Sequence, residues 1–201
     1  MNSIRHLILS ALVCLAAAGA FAQAPGGRGS LPDGALTYRL DSSASDVSAR
    51  VPFFGLASKT ARFPRMKGAV TIVPDAPERA VIDVTFDAGA IEAPDRVTLR
   101  RLRGEKFFWV EKYREIRFVG RSLAMTSPVK GTLEGTLTAR GVSKPQTLTV
   151  TFESAPGKVV GKPISFTGTT TIDRRDYGMK SYQLIVGNEV DIELRARMVP
   201  R

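Results

Sequence analysis

Thr147-Leu148-Thr149-Val150-Thr151-Phe152-Glu153 sets Leu148, Val150 and Phe152 on one side of an extended chain and the threonines and Glu153 on the other. Side chains of a strand alternate between faces with a period of two, so the stretch reads as a strand with one dry and one wet face. The same alternation recurs on both sides of it. Ile82, Val84 and Phe86 face away from Asp83, Thr85 and Asp87, and Ile116 and Phe118 from Glu115 and Arg117. Ile164, Phe166 and Ile172 face away from Ser165, Thr167 and Thr171, and Val190, Ile192, Leu194 and Met198 from Glu189, Asp191, Glu193, Arg195 and Arg197. Strands with one solvated face belong to antiparallel sheets.

Shorter strand signals at 36–40, 45–51, 59–73 and 129–140 bring the expected number to eight or nine. Turn signals separate them, at Pro74-Asp75-Ala76-Pro77, Gly141-Val142-Ser143-Lys144-Pro145 and Pro156-Gly157. One short helix interrupts the series, opened by Pro94-Asp95 and stopped by Gly104, with Val97, Leu99 and Leu102 apolar between. So many amphipathic strands close into a barrel or pack as a sandwich. Strands of about ten residues, and glycines at the inward positions 120, 131, 135 and 168, favour a barrel, because inward glycine lets a sheet bend and leaves space.

The N-terminus reads as a secretory signal over 1–22: Arg5 and His6, an apolar run from Leu7 to Gly19, then Ala20-Phe21-Ala22. That run is shorter than the roughly 20 residues a membrane-spanning helix needs. The Gly- and Pro-rich stretch 23–34 reads as a flexible leader, and 35–201 as one domain. His6 and Cys14 are the only histidine and cysteine, and both would leave with the signal. The remaining 179 of 201 residues then offer no thiol and no imidazole. A disulfide, a cysteine nucleophile, a Ser-His-Asp triad and a His/Cys zinc site are thereby excluded, and a binding protein is expected in place of an enzyme. Export points to the periplasm. Without Arg5, 28 basic and 19 acidic residues give a net charge of +9, which suits an anionic surface; nucleic acid is not an expected partner of an exported chain.

Four local sequences, in order, resemble the YceI-like family of exported, lipocalin-like polyisoprenoid-binding proteins. They are Phe107-Phe108-Trp109-Val110-Glu111-Lys112-Tyr113 with Ile116-Arg117-Phe118, Gly135 to Pro145, Thr171 to Met179, and Val186-Gly187-Asn188-Glu189-Val190. The resemblance runs from about Tyr38 to the C-terminus. It implies an all-β fold, an eight-stranded antiparallel lipocalin-like barrel with one short helix, and an apolar cavity for an isoprenoid lipid or quinone. This chain departs from the family's pattern in three places: Ala44 and Arg101 stand where the family commonly has histidines, and Trp109 where it has an aspartate.

Phe53, Phe54, Phe63, Phe86, Phe107, Phe108, Phe118, Phe152 and Phe166 read as either plain core or the wall of that cavity, and the resemblance favours the wall. No catalytic residue, metal ligand or cofactor is expected, apart from the bound isoprenoid or quinone itself. Arg96, Arg100, Arg101 and Arg103 read as a solvated helix face, or as an anion site for a ligand diphosphate or lipid headgroups, with Arg101 the residue of most interest. Asp173-Arg174-Arg175-Asp176 reads as a turn held by local, exposed ion pairs, and Asp83 and Asp87 as surface charges. A filled barrel that docks an envelope partner through its basic surface is the alternative function, and a homodimer is an allowed assembly.

Overall fold

A computed structural model describes residues 34–73 and 76–201. The expected signal over 1–22 and all but the last residue of the leader lie outside the described residues.

Ten strands form one antiparallel sheet: β1 (Leu36–Leu40), β2 (Asp46–Phe53), β3 (Ala57–Arg62), β4 (Met66–Ile72), β5 (Val81–Asp87), β6 (Glu115–Met125), β7 (Lys130–Ala139), β8 (Val142–Phe152), β9 (Ile164–Asp173) and β10 (Glu189–Pro200). One α-helix among the described residues, α1 (Arg96–Arg103), lies between β5 and β6. The sheet closes on itself. Successive strands from β4 to β10 pair with their neighbours, and β1 pairs with both β4 and β10. β2 follows β1 along the same edge of β10 and pairs on its other side with β3. β1–β2 and β3–β4 are therefore two long strands, each broken once, and the barrel has eight staves.

Both breaks have local causes. Between β1 and β2, the Asp41 carboxylate accepts from the Ser43 backbone N–H at 3.2 Å and from its hydroxyl at 2.6 Å, winding Ser42–Ala44 into a 3-10 turn. Asx geometry of this kind competes with the ladder. The strand expected over 59–73 is interrupted at Phe63-Pro64-Arg65, where Pro64 has no N–H to give a partner. The turn expected over 141–145 is shorter than its sequence: Arg140 and Gly141 alone make it, with φ of 51° and 74°, and Val142 already begins β8. Two consecutive left-handed residues are the tight hairpin turn whose twist matches its strands.

The period-two reading holds. Buried side chains of the five quoted segments point inward, and Asp83 lies outside, bidentate to Arg117 at 2.8 and 2.5 Å. Three of the four inward glycines leave no free space. A Cβ at Gly120 would meet Leu133 at 2.9 Å, one at Gly131 the Ala124 carbonyl at 2.6 Å, and one at Gly135 both Phe118 and the Val119 carbonyl at 2.5 Å. They let neighbouring strands approach and bend, and the β6–β7 register shifts between Gly120 and Ser122. Only at Gly168 is the nearest atom, on Leu148 or Leu194, at an ordinary 3.6 Å.

Candidate functional site

Burial along β10 locates open space inside the barrel. Its inward residues Val190, Ile192 and Leu194 are only half-buried, although their side chains point to the axis, whereas Ala196 and Met198 are buried. The larger hollow of the barrel therefore lies toward the β10 N-terminus, and the inward side chains pack more closely toward its C-terminus. The hollow is a cavity of about 370 Å³, within the usual size range of small-molecule sites. Its walls come from every stave: Leu40, Val70, Val84, Leu137, Leu148 and Ile192 among others. Two polar side chains on the wall, Gln146 and Thr170, are already occupied. Gln146 donates to the Thr170 hydroxyl at 2.5 Å, and Thr170 donates to the Thr147 carbonyl at 2.9 Å.

The mouth is built by three segments: α1, the β2–β3 tip, and the loop 179–187. Asp95 caps α1 by accepting from the Thr98 N–H and hydroxyl, both at 2.8 Å, and receives the Lys59 ammonium at 2.9 Å. The Lys59 bond, then those from Thr98, hold the Asp95 carboxyl well below the usual carboxylate range. The tip is tied to the loop by the Phe54 N–H donating to the Ile185 carbonyl at 2.9 Å. The Tyr182 ring is stacked on Phe107 at 5.9 Å, with the Arg101 guanidinium and the Lys106 ammonium each 5.4 Å from its centre. Cations lie against the faces of aromatic rings favourably.

Arg174 was expected in an exposed turn pair and is instead the one charged residue buried among those described, 2% exposed. Its guanidinium collects carbonyls: Nε donates to Gly187 at 2.8 Å, Nη1 to Ser181 at 2.8 Å and to Met179, and Nη2 to Val186 at 2.9 Å and the Asn188 side chain at 3.4 Å. Burial pulls its pKa below the ordinary arginine value. Arg175, its neighbour, does make the expected exposed pair, reaching Asp173 at 2.5 Å. Arg140 braces the mouth from the β7–β8 turn, donating to the Gly178 carbonyl at 2.6 Å and the Glu105 carbonyl at 3.1 Å. Tyr177, which precedes Gly178 in the chain, is buried, which pushes its phenol up to about 12, the Asp176 charge adding to the shift.

Of the ten residues expected at the ligand, eight line this cavity: Phe53, Phe63, Phe86, Phe107, Phe108, Phe118, Phe166 and Arg101. Two do not. Phe54, at φ 53°, is turned out of the barrel and 64% exposed. Phe152 is inward but too far along the axis, and lines a second cavity of about 160 Å³ at the opposite end, with Tyr38, Leu123 and Ile164. Of the two positions where the family commonly has histidine, Arg101 stands at the cavity mouth, while Ala44 lies exposed on the 3-10 turn. Trp109 adopts φ 47°, a left-handed conformation that aspartate tolerates better than a bulky aromatic residue. Sequence reading missed Tyr182, Ile185 and Val186, which line the mouth from a loop without periodicity.

The closed ring, the apolar hollow and the charged rim define a ligand-cavity β-barrel of lipocalin-like architecture. A model of the YceI-like domain matches residues 38–198, and the chain belongs to that family. Its curated relatives include a UPF0312 protein of Pseudomonas putida (strain GB-1), 27% identical over 150 residues that cover 73% of this chain and 78% of the relative. Another, from Shewanella sp. (strain W3-18-1), is 23% identical over 163 residues, 80% of this chain and 85% of the relative. Among solved structures, BcnA of Burkholderia cenocepacia superposes with a TM-score of 0.71 at 22% identity, covering 79% of this chain and 98% of that one. A polyisoprenoid binding domain from Saccharophagus degradans, implicated in plant cell wall breakdown, gives a TM-score of 0.62 at 17% identity, covering 83% and 99%.

Proposed function

We propose that the protein holds an isoprenoid lipid or isoprenoid quinone in its barrel and serves as a periplasmic carrier or reservoir for it, without chemically changing it. The observation that carries this reading is the 370 Å³ cavity, apolar along its length and charged at its mouth. An apolar tail would occupy the hollow and a polar end would stay at the rim beside Arg101, Lys59 and Tyr182. The relative from Saccharophagus degradans described as polyisoprenoid binding supports the class of ligand. Burying apolar groups is worth about 0.8 kcal/mol for each CH₂, so two or three isoprene units supply roughly the 8 kcal/mol of a micromolar complex before ordering costs. Packing alone suffices for holding, and the polar wall groups Gln146 and Thr170 are already paired with one another. A hollow of this size favours holding a ligand over the alternative of a filled barrel that acts only as a docking module.

Mass spectrometry of an organic extract of protein purified from its native envelope tests the reading. A prenyl lipid or quinone near one per chain is expected. Repeated extracts that contain no prenyl compound, from protein that is folded, would overturn it.

A further inference from the structure

Six large apolar side chains are exposed among the described residues, and four of them, Phe54, Leu56, Val97 and Leu184, belong to the rim of the cavity mouth. Leu56 and Leu184 are 100% and 99% exposed, so neither contributes to the fold. They are brought together by the pairing of the β2–β3 tip with the loop 179–187. Phe53 bridges Val186, and the Phe54 N–H donates to the Ile185 carbonyl at 2.9 Å, leaving Leu56 and Leu184 just beyond that seam. Val97 stands across the mouth on α1, where it lines the opening with Phe53. Single exposed apolar residues are ordinary, but a cluster at the entrance of a cavity marks an interaction surface.

Charge around the cluster selects the partner. The three rim segments, residues 50–60, 94–106 and 180–188, hold eight basic side chains (Arg50, Lys59, Arg96, Arg100, Arg101, Arg103, Lys106 and Lys180) against two acidic ones, Asp95 and Glu105. Asp95 is already spent on Lys59 and the α1 cap. Arg96, Arg100 and Arg103 are exposed and belong to none of the ion pairs among the described residues. A second copy docked rim to rim would set two basic surfaces together, so self-association through this face is opposed by charge.

We infer that the mouth docks on the surface of a phospholipid bilayer with anionic headgroups. Phe54, Leu56, Val97 and Leu184 enter the boundary between headgroups and acyl chains, and the α1 arginines hold the phosphates. An apolar tip within a basic rim is the pattern that binds a membrane interface through both terms. Docking of the mouth would also let an apolar ligand pass between bilayer and cavity without crossing water, and that consequence rests on the carrier reading above.

Flotation with vesicles of phosphatidylethanolamine containing 30 mol% phosphatidylglycerol, and with pure phosphatidylcholine vesicles, tests the inference. Wild type is expected to float with the anionic vesicles and to be released by high salt. Arg96→Gln/Arg100→Gln/Arg103→Gln should weaken binding roughly a hundredfold, and Leu56→Ser/Leu184→Ser roughly tenfold or more. All five positions are outside the cavity wall, and unchanged melting curves would show both variants folded. In Leu56→Trp, the added fluorescence relative to wild type should shift to the blue on anionic vesicles. Wild type that does not float, or serine and glutamine variants that float like wild type, would overturn the inference. Flotation by protein whose extract holds no prenyl compound would keep the docking surface and refute the carrier reading, so the two failures are distinguishable.

Discussion

Replacing Arg174 with methionine keeps most of the side-chain volume and removes every donor from a guanidinium bonded to four carbonyls and the Asn188 side chain. The carbonyls of Met179, Ser181, Val186 and Gly187 all lie in the loop that forms one side of the mouth, and none gains a new donor from methionine. Hydrogen bonds from a charged donor are worth about 1.5–3 kcal/mol, and carbonyls near the opening recover part of the loss from water. A net cost of about 3–5 kcal/mol is expected, and a domain of this length loses roughly 2–4 °C of Tm per kcal/mol. The Tm of Arg174→Met should therefore fall by roughly 6–20 °C in differential scanning calorimetry. Arg175→Met, which breaks only the exposed pair with Asp173, should melt within about 2 °C of wild type. Lysine at 174 should fall between them, because one ammonium has three donors for five acceptors. An Arg174→Met protein melting within about 3 °C of wild type would show that the guanidinium does not hold the loop.

The cavity wall and the excluded phenylalanine should respond differently: Phe166→Ala is expected to cost about 3–5 kcal/mol in denaturant unfolding, and Phe54→Ala to stay within about 0.5 kcal/mol. Gly135→Ala, whose Cβ would lie 2.5 Å from Phe118 and the Val119 carbonyl, should destabilise by about 1–3 kcal/mol, while Gly168→Ala, with 3.6 Å of clearance, should be tolerated. Acid should loosen the barrel. Asp95 bonded to Lys59, Asp83 to Arg117 and Asp173 to Arg175 all have carboxyls held below their ordinary values. Their stabilising contribution is complete above the unfolded aspartate value of about 3.9 and is lost as pH falls through the lower folded values, so Tm should be flat from about pH 5 upward and drop below about pH 4. Asp95→Asn should flatten that drop in a Tm-against-pH series.

Much of the barrel is legible in the chain because a strand has no freedom about which face a residue takes. Leu148, Val150 and Phe152 alternate with threonines, and all three are buried. Alternation gives the face but not the level along the axis. That is why Phe152, read as cavity wall, belongs to the other end of the barrel. Phe54 escaped the pattern because its left-handed φ lies at a hairpin tip, where period two no longer applies. Arg174 was misread because Asp173 and Asp176 flank it and suggest local pairing, while its true partners are backbone carbonyls 5 to 13 residues onward, which leave no mark on side-chain chemistry. The family marks at 171–179 and 186–190 are separate in sequence and joined in space by the β9–β10 ladder and by that guanidinium. Leu56 and Leu184 carry no signal in isolation, since their exposure follows only from the pairing of two distant loops.

A titration of delipidated protein with a fluorescent prenyl alcohol, run on wild type beside Leu148→Trp/Leu194→Phe, tests the central claim that the hollow holds an apolar chain. Both substituted residues line the cavity, and the larger rings would occupy it. Saturable binding near one per chain is predicted for wild type, with loss of at least tenfold in affinity for the folded double variant. Equal affinity in the two proteins, or no saturable binding to wild type, would contradict the account.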